Sequence, residues 1–393
     1  MKISYLVNYL DPQMTPFCDT LYELTDHSFK LIQTEAFPNR LIQNHHEDLS
    51  HRPYIRDIHS AENRVSAAEE ELKGSDVLLS GHSEEQFFDL CVKSGIPTFR
   101  LSQLVYRHFD IYHIPLKWKI SYYLKDTVRL KNKPVYMLCM GTYTSQDYSL
   151  THSYDGKRFT FGEFPPTEKM DVSDLMAGKS SDPVTILWAG AMEEFRDPKI
   201  CISLADLLKK SNVKFHLQMV GEGPLLESLK QEIGERKLSS DISLISDNSE
   251  ATRRKYMKDA SIYLETGGLH EGWGQEVNEA MNCGNAVVVS HLVGASAMIR
   301  NGDNGFLFEH GNIDNLLQIV KQLIQNEQLR KRTGRSAYQF ITEDFTGKKA
   351  AERFMKLAEA ILKGDKSPFP EGICSYAPVI SYLDMAEIAH QNF

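Results

Sequence analysis

The stretch LETGGLHEGWGQEVNEAMNCGNAVVVS, residues 264–290, places Glu271 and Glu279 with seven residues between them. The first glutamate lies in a glycine-flanked loop and the second in a run of helical character. An apolar run, SIYLET, ends at the loop, and another, AVVVS, follows the helix. Strand, loop, helix and strand in that order make one βα step of a parallel, doubly wound sheet. Ligands of such sheets collect beyond the carboxyl ends of the strands, so Gly267 through Gly274 fall on the binding rim. The helix is expected from Gly274 or Gln275 to Asn282, with Gly284 as its stop. Its first amides have no intrahelical partner and carry partial positive charge, which suits phosphate. Gly272 and Gly274 remove side chains that would keep a ligand off the backbone.

At a rise of 1.5 Å per residue, the helical part separates the two glutamates by roughly 7–8 Å. That leaves room for a pyrophosphate, with one carboxylate accepting from a sugar's hydroxyls and the other from a ribose diol. The plain alternative makes Glu276 and Glu279 helix N-terminal charges that favour the dipole, and Glu271 an unrelated loop residue.

Outward from this stretch, strand and helix signals alternate along the chain, which implies parallel α/β architecture. KISYLVNY, FKLIQTE, DVLLSG, IPTFRLS and PVYMLCMG read as strands of a first domain, 1–166. A polar, His-rich connection at 43–59 breaks the rhythm. Residues 167–183, rich in Gly, Ser, Asp and Pro, read as a linker. The alternation restarts at VTILWAG and continues through a long helical region, giving a second domain at 184–362. Residues 363–393 form a tail that crosses back toward the first domain. Two Rossmann-like domains facing across a cleft are the expected fold.

The bulk properties narrow the function. The chain has 393 residues, 41% hydrophobic and 25% charged, as in globular proteins that need more than one core. A net charge of −9 argues against a general nucleic-acid binder. No apolar run reaches the ~20 residues of a membrane helix, and Asp11 and Pro12 cut short the apolar amino terminus, unlike a signal peptide. The six cysteines are widely spaced, with no zinc-like pair, which fits a reducing cytoplasm. His45, His46 and His51 cluster in a loop, but their spacing favours solvent exposure over a metal site. No metal and no cofactor are expected.

The E-x7-E pattern within EGWGQEVNEAMNCGNAVVVS, continued by HLVGASAMIRNGDNGFLFEHGN, resembles the family 4 retaining glycosyltransferases of the two-domain GT-B fold. MVGEGPLLESL is similar to that family's strand, Gly-rich turn and helix, and IRNGDNGFLFE to its turn, with Gly302 and Gly305 setting the geometry. CMGTYTSQDYSL, FTFGEFPP and EGICSYA resemble segments of its capsular and surface-polysaccharide members. The resemblance implies that Glu279 holds the nucleotide ribose and that Glu271 lies near the donor sugar. The backbone at Trp273, Gly274 and Gln275, with Gly272, would cradle donor oxygens.

The family's basic pair falls on GAMEEFRDPK. Ala191 follows Gly190 where arginine is expected, Arg196 aligns with the family's lysine, and Lys199 lies one helical step beyond. Each of the two cations is either a phosphate contact or a solvated charge. After Gly294, Ala297 replaces a glutamate of the family pattern, which touches donor specificity and catalysis.

The implied donor is a nucleotide-diphosphate sugar, with UDP leading, and the acceptor is a glycan or lipid-linked molecule. His82, at a strand end in LLSGHSEE, is the first domain's candidate beside the transferred sugar; a helix cap or surface histidine is the alternative. Glu271, His82 and Arg196 make up the expected catalytic set. The segment KWKISYYLKDTVRLKNK, 117–133, carries six Lys or Arg against one Asp. It is read either as a face resting on anionic membrane, at the inner side of the plasma membrane, or as a solvated helix. An inactive GT-B module that binds a glycan or a partner, and a sugar-nucleotide epimerase, are the competing readings.

Overall fold

A computed structural model of the chain describes residues 1–38, 49, 51–103, 115–179, 182–247 and 249–391. The chain divides into two compact units, Met1–Pro166 with Phe345–Ile380, and Thr167–Asp344 with the residues from Ser381 onward.

The first unit contains strands β1 (Ile3–Val7), β2 (Lys30–Gln33), β3 (Ile55–Asp57), β4 (Val77–Ser80), β5 (Thr98–Ser102), β6 (Val135–Met140) and β7 (Arg158–Phe161). They form one parallel sheet in the order β3-β2-β1-β4-β5-β6-β7. The second unit contains β8 (Val184–Ala189), β9 (Phe215–Val220), β10 (Ile242–Ile245), β11 (Ile262–Glu265), β12 (Ala286–Ser290) and β13 (Phe306–Phe308). Its sheet, also parallel, runs β10-β9-β8-β11-β12-β13. Strands β1, β4, β11 and β12 are buried at every residue, as strands covered by helices on both faces must be.

In each sheet the chain order reverses between two neighbours, β1 and β4 in the first unit, β8 and β11 in the second. Loops leaving such a pair turn to opposite faces and open a crevice at the strand ends. A cluster of acids around one arginine sits at the second of these places.

Three sequence expectations need revising. The long helix Gly347–Lys363 belongs to the first unit, not to the domain that precedes it in sequence. Its apolar face packs on Thr15–Leu24, with Phe354 edge-on to Phe17 at 6.0 Å and to Phe99 at 5.1 Å. Residues 167–183 are more than a linker, because Asp171 caps a helix at Val172–Ala177 and Glu168 pairs with Arg254 at 2.5 Å within the second unit.

The tail divides. Around Ser375 it closes the open edge of β7, with Thr160 N donating to Ser375 O at 2.8 Å and Cys374 N to Thr160 O at 2.7 Å. The helix Tyr382–His390 packs in the second unit, where Asn301 Nδ2 donates to Ile388 O at 2.7 Å.

Candidate functional site

The second unit's switch point gathers acids around one arginine. Glu265 closes the buried strand β11, and its carboxylate accepts from Gly267 N at 3.1 Å and Tyr263 OH at 3.4 Å. Glu271 sits in the short turn Leu269–Glu271, and Glu276 opens the helix Glu276–Asn282. Oxygens of these three carboxylates lie within 4.8 Å of one another, close enough for a metal ion to bridge them. A guanidinium supplies positive charge there. Arg196 Nη2 is 2.8 Å from Glu271 Oε1, and its Nη1 is 3.1 Å from Glu276 Oε1. The side chains of Glu271 and Glu276 are 2% and 4% exposed, so this is a buried charge cluster.

Burial opposes the charge of Arg196, but Glu276, Glu271 and Glu265 outweigh it and hold its pKa above the ordinary value. Burial pushes the Glu265 carboxyl upward to about 7, with the Arg196 guanidinium opposing the rise and the Glu276 carboxylate adding to it.

Local backbone fixes Arg196 in place. Thr266 Oγ1 donates to Arg196 O at 2.7 Å, and Gly268 N donates to Phe195 O at 2.9 Å, tying the β8 exit loop to the β11 exit loop. Trp188 Nε1 orients Thr266 from β8 at 2.8 Å. Gly190 is required here, since a Cβ on it would lie 2.1 Å from Arg196 Nη1. Gly294 plays a similar part below the helix. Its N–H donates to Gly272 O at 2.8 Å, and a Cβ would sit 2.6 Å from that same oxygen.

Glu279 stands apart from the cluster. Its Oε1 is 3.8 Å from Arg253 Nη2, and its Oε2 is buried with no hydrogen-bond partner among the described residues. Burial first, then the neighbouring acids Glu276 and Glu250, raise its pKa to about 7 against the pull of Arg253. An under-satisfied carboxylate at a strand-end rim costs stability and is a candidate for ligand contact.

The other expected residues are placed as follows. Trp273 is a core residue, 3% exposed, with Nε1 donating to Asn278 Oδ1 at 2.8 Å, so its indole packs inward while its carbonyl accepts from Ala295 N at 2.7 Å. Gly274 is buried, and Gln275, half-buried, stands just before the helix without a side-chain capping bond. Lys199 opens the helix Lys199–Lys210 in an exposed pair with Glu194 at 3.0 Å. Arg196 is not the solvated charge of its second alternative, because two buried acids hold it. Ala297 is exposed in the turn Gly294–Met298. His82 lies in the first unit, exposed at the end of β4, its carbonyl accepting from Asn8 N at 2.7 Å. His51 is exposed, and His45 and His46 fall outside the described residues.

Sequence reasoning missed Glu265 and the partner role of Arg253, and it took Glu276 only as a helix charge. A carboxylate ending a wholly apolar strand was the available signal for Glu265. Arg253, in EATRRKYMKD, gives none, because only tertiary packing brings it to Glu279.

Residues 176–340, all within the second unit, match the sequence family described as Glycosyl transferases group 1. An uncharacterized glycosyltransferase of Methanocaldococcus jannaschii is 28% identical over 201 residues, 51% of this chain and 51% of the relative. The poly(ribitol-phosphate) alpha-N-acetylglucosaminyltransferase of Staphylococcus aureus is 29% identical over 161 residues, 40% of this chain and 32% of the relative. The chain thus spans about half or less of the length of these curated relatives. The structure of Anabaena HepE in complex with UDP matches with a TM-score of 0.65 at 14% identity, covering 92% of this chain and 100% of that one. At that identity the likeness establishes the fold, two parallel-sheet α/β domains of the GT-B class.

Proposed function

We propose that the chain is a retaining glycosyltransferase, hexosyltransferase-like, that takes a sugar from a nucleotide diphosphate, with UDP the leading carrier. The observation that carries this reading is Glu279, a half-buried carboxylate whose buried Oε2 has no hydrogen-bond partner among the described residues, beside an acid–arginine cluster at the switch point. A ribose diol supplies the hydroxyl donors that Glu279 lacks. Glu271 and the glycine-bounded backbone from Gly272 to Gln275 are assigned to the donor sugar and its phosphates. The match of residues 176–340 to the group 1 glycosyl transferases supports the same placement.

In the proposed step the acceptor oxygen bonds to the anomeric carbon as the bond from that carbon to the phosphate oxygen breaks. The acceptor's proton passes to the departing diphosphate on the same face. Arg196, already desolvated, stabilises the charge that develops there by exchanging one carboxylate partner for phosphate. His82 is assigned to the acceptor side in the first unit. Surface or capsular polysaccharide synthesis in the cytoplasm is the proposed setting, with a glycan or lipid-linked acceptor.

Peripheral contact with anionic lipid is part of this proposal. The helix Leu116–Tyr122 and the turn after it expose Leu116, Ile120 and Leu124 by 70%, 50% and 55%, interleaved with Lys117, Lys119 and Lys125. Among the described residues no helix is long and apolar enough to cross a membrane.

A second reading, an inactive GT-B binding module, draws on the commitment of Arg196 to Glu271 and Glu276, together with Ala191 and Ala297. Thermal shift over a panel of nucleotide diphosphate sugars, followed by turnover of any that bind, separates the two. A ligand at about 100 times its Kd raises stability by ~2.7 kcal/mol. A stabilising sugar nucleotide that is also consumed supports the transferase. Binding without turnover supports the module, and no binding removes the transferase.

A further inference from the structure

The helix Glu250–Asp259 is strongly polar, and within it only Arg253 and Met257 are buried. They stand four residues apart, on the face that an amphipathic helix turns inward. The helix packs against Glu276–Asn282, which carries Glu279. An arginine takes such an inward place only where its charge is matched. The acid it faces is Glu279, with Arg253 Nη2 3.8 Å from Glu279 Oε1 and the two side chains 10% and 15% exposed. The other cations of the helix are directed elsewhere. Arg254 and Lys258 hold Glu168 at 2.5 and 3.3 Å, and Lys255 Nζ lies 5.9 Å from the centre of the Tyr256 ring.

The pair is not built like the structural ion pairs of this molecule. Arg196 lies 2.8 Å from Glu271, and Arg100 lies 2.9 Å from Asp126. Charge-assisted hydrogen bonds have such lengths, about 2.7–2.9 Å. A separation of 3.8 Å is beyond a hydrogen bond, so Arg253 attracts the carboxylate without occupying its acceptor positions. Glu279 Oε2 is buried with no hydrogen-bond partner among the described residues. Burial raises the Glu279 pKa to about 7, Arg253 is the strongest influence against that rise, ahead of Arg254, and Glu276 and Glu250 add to it. Glu279 is thus held by charge while its oxygens stay open to hydroxyl donors, and a ribose diol supplies two.

We infer that Arg253 is a positioning residue for the donor: it anchors the Glu279 carboxylate through charge, leaves its oxygens to the ribose diol, and does not itself touch the nucleotide. The inference rests on the glycosyl-transfer reading, which places the ribose at Glu279, and adds the residue through which that contact is set.

The test is calorimetry of the full chain with UDP-glucose and with its analogue lacking both ribose hydroxyls. Arg253→Gln removes the charge and keeps hydrogen-bonding capacity, whereas Arg253→Lys keeps the charge. Arg253→Gln is expected to weaken UDP-glucose about tenfold, as loss of an interaction with a charged group does, and Arg253→Lys to stay within about threefold of wild type. The analogue should lose less than about twofold in Arg253→Gln, and so should UDP-glucose when that change is added to Glu279→Gln.

Wild-type affinity in Arg253→Gln overturns the inference. An equal loss for the two ligands does so too, because Arg253 is then a direct contact or a packing residue. Arg253→Lys as weak as Arg253→Gln has the same meaning, and failure of Arg253→Gln to fold, read from its melting transition, assigns Arg253 to the core. Each of these removes the inference alone. No binding of UDP-glucose by the wild type removes the UDP-sugar reading and the inference together.

Discussion

Arg196 and Glu271 form an ion pair of 2.8 Å, buried at the exits of β8 and β11, and Glu276 holds the same guanidinium from the other side. The arrangement joins two loops and the start of a helix through one side chain. Removing a single member of such a cluster leaves charge buried without compensation, which costs about 3–5 kcal/mol. Arg196→Ala is therefore expected to destabilise the second unit by about 3 kcal/mol, read by urea unfolding followed through Trp188 and Trp273 fluorescence. Adding Glu276→Gln to that variant is expected to recover part of the loss. A loss under about 1 kcal/mol contradicts the cluster's structural role.

Gly190→Ala displaces Arg196 while keeping its charge, and it also strains the backbone at φ 154°. In Gly190→Ala the new methyl overlaps Arg196 Nη1, so the guanidinium must leave its two acids while the protein keeps every charge. UDP-sugar affinity is expected to fall at least tenfold, measured by calorimetry. Wild-type affinity in that variant separates Arg196 from the donor site.

Glu279 gives the account a pH signature. Its pKa in the unliganded protein is raised to about 7 from an ordinary 4.5, so the folded state favours the neutral acid. The stability this contributes is fully present below 4.5 and is lost as pH rises through about 7. Donor binding through a ribose diol requires the carboxylate, so binding releases a proton and strengthens as pH rises toward 7. Affinity for UDP-glucose is expected to drop by up to about tenfold per pH unit below 7 and to level off above it. In Glu279→Gln that slope should flatten. A slope unchanged in the variant assigns the titration elsewhere.

His82 is expected to matter for turnover and not for donor capture. His82→Ala should lower kcat by about 10²-fold, the lower range for a positioned proton-transfer or polar group, with UDP-sugar Kd unchanged. Full activity in that variant returns His82 to the role of a surface residue at a strand end.

The exposed apolar and basic face at Leu116–Leu124 predicts vesicle binding that depends on anionic lipid. Flotation with phosphatidylserine vesicles should fall at least fivefold in Lys117→Glu, Lys125→Glu, and at high salt, since each basic group near such a surface contributes about 1 kcal/mol. Equal flotation with neutral vesicles leaves the segment a solvated helix.

Five of the six strands of the second unit were legible in the sequence because apolar residues dominate them, while β13, only three residues long, was read as part of a turn. In the first unit β3 was hidden: IRD is three residues long, sits at the sheet edge and lies in a polar, His-rich stretch. The helix Gly347–Lys363 was assigned to the wrong unit because periodicity reveals an apolar face and not what that face meets. Glu271 and Glu279 were singled out through their spacing, which is local. Glu265, Glu276 and Arg253 gain their roles from packing between elements, so the commitment of Arg196 to two acids could be seen only in the structure.

The most direct test is a crystal structure of the protein with UDP-glucose. The account predicts the ribose hydroxyls within hydrogen-bonding distance of the Glu279 carboxylate and the diphosphate beside Gly272–Gln275. Nucleotide density elsewhere in the second unit, with Glu279 still paired only to Arg253, would contradict it.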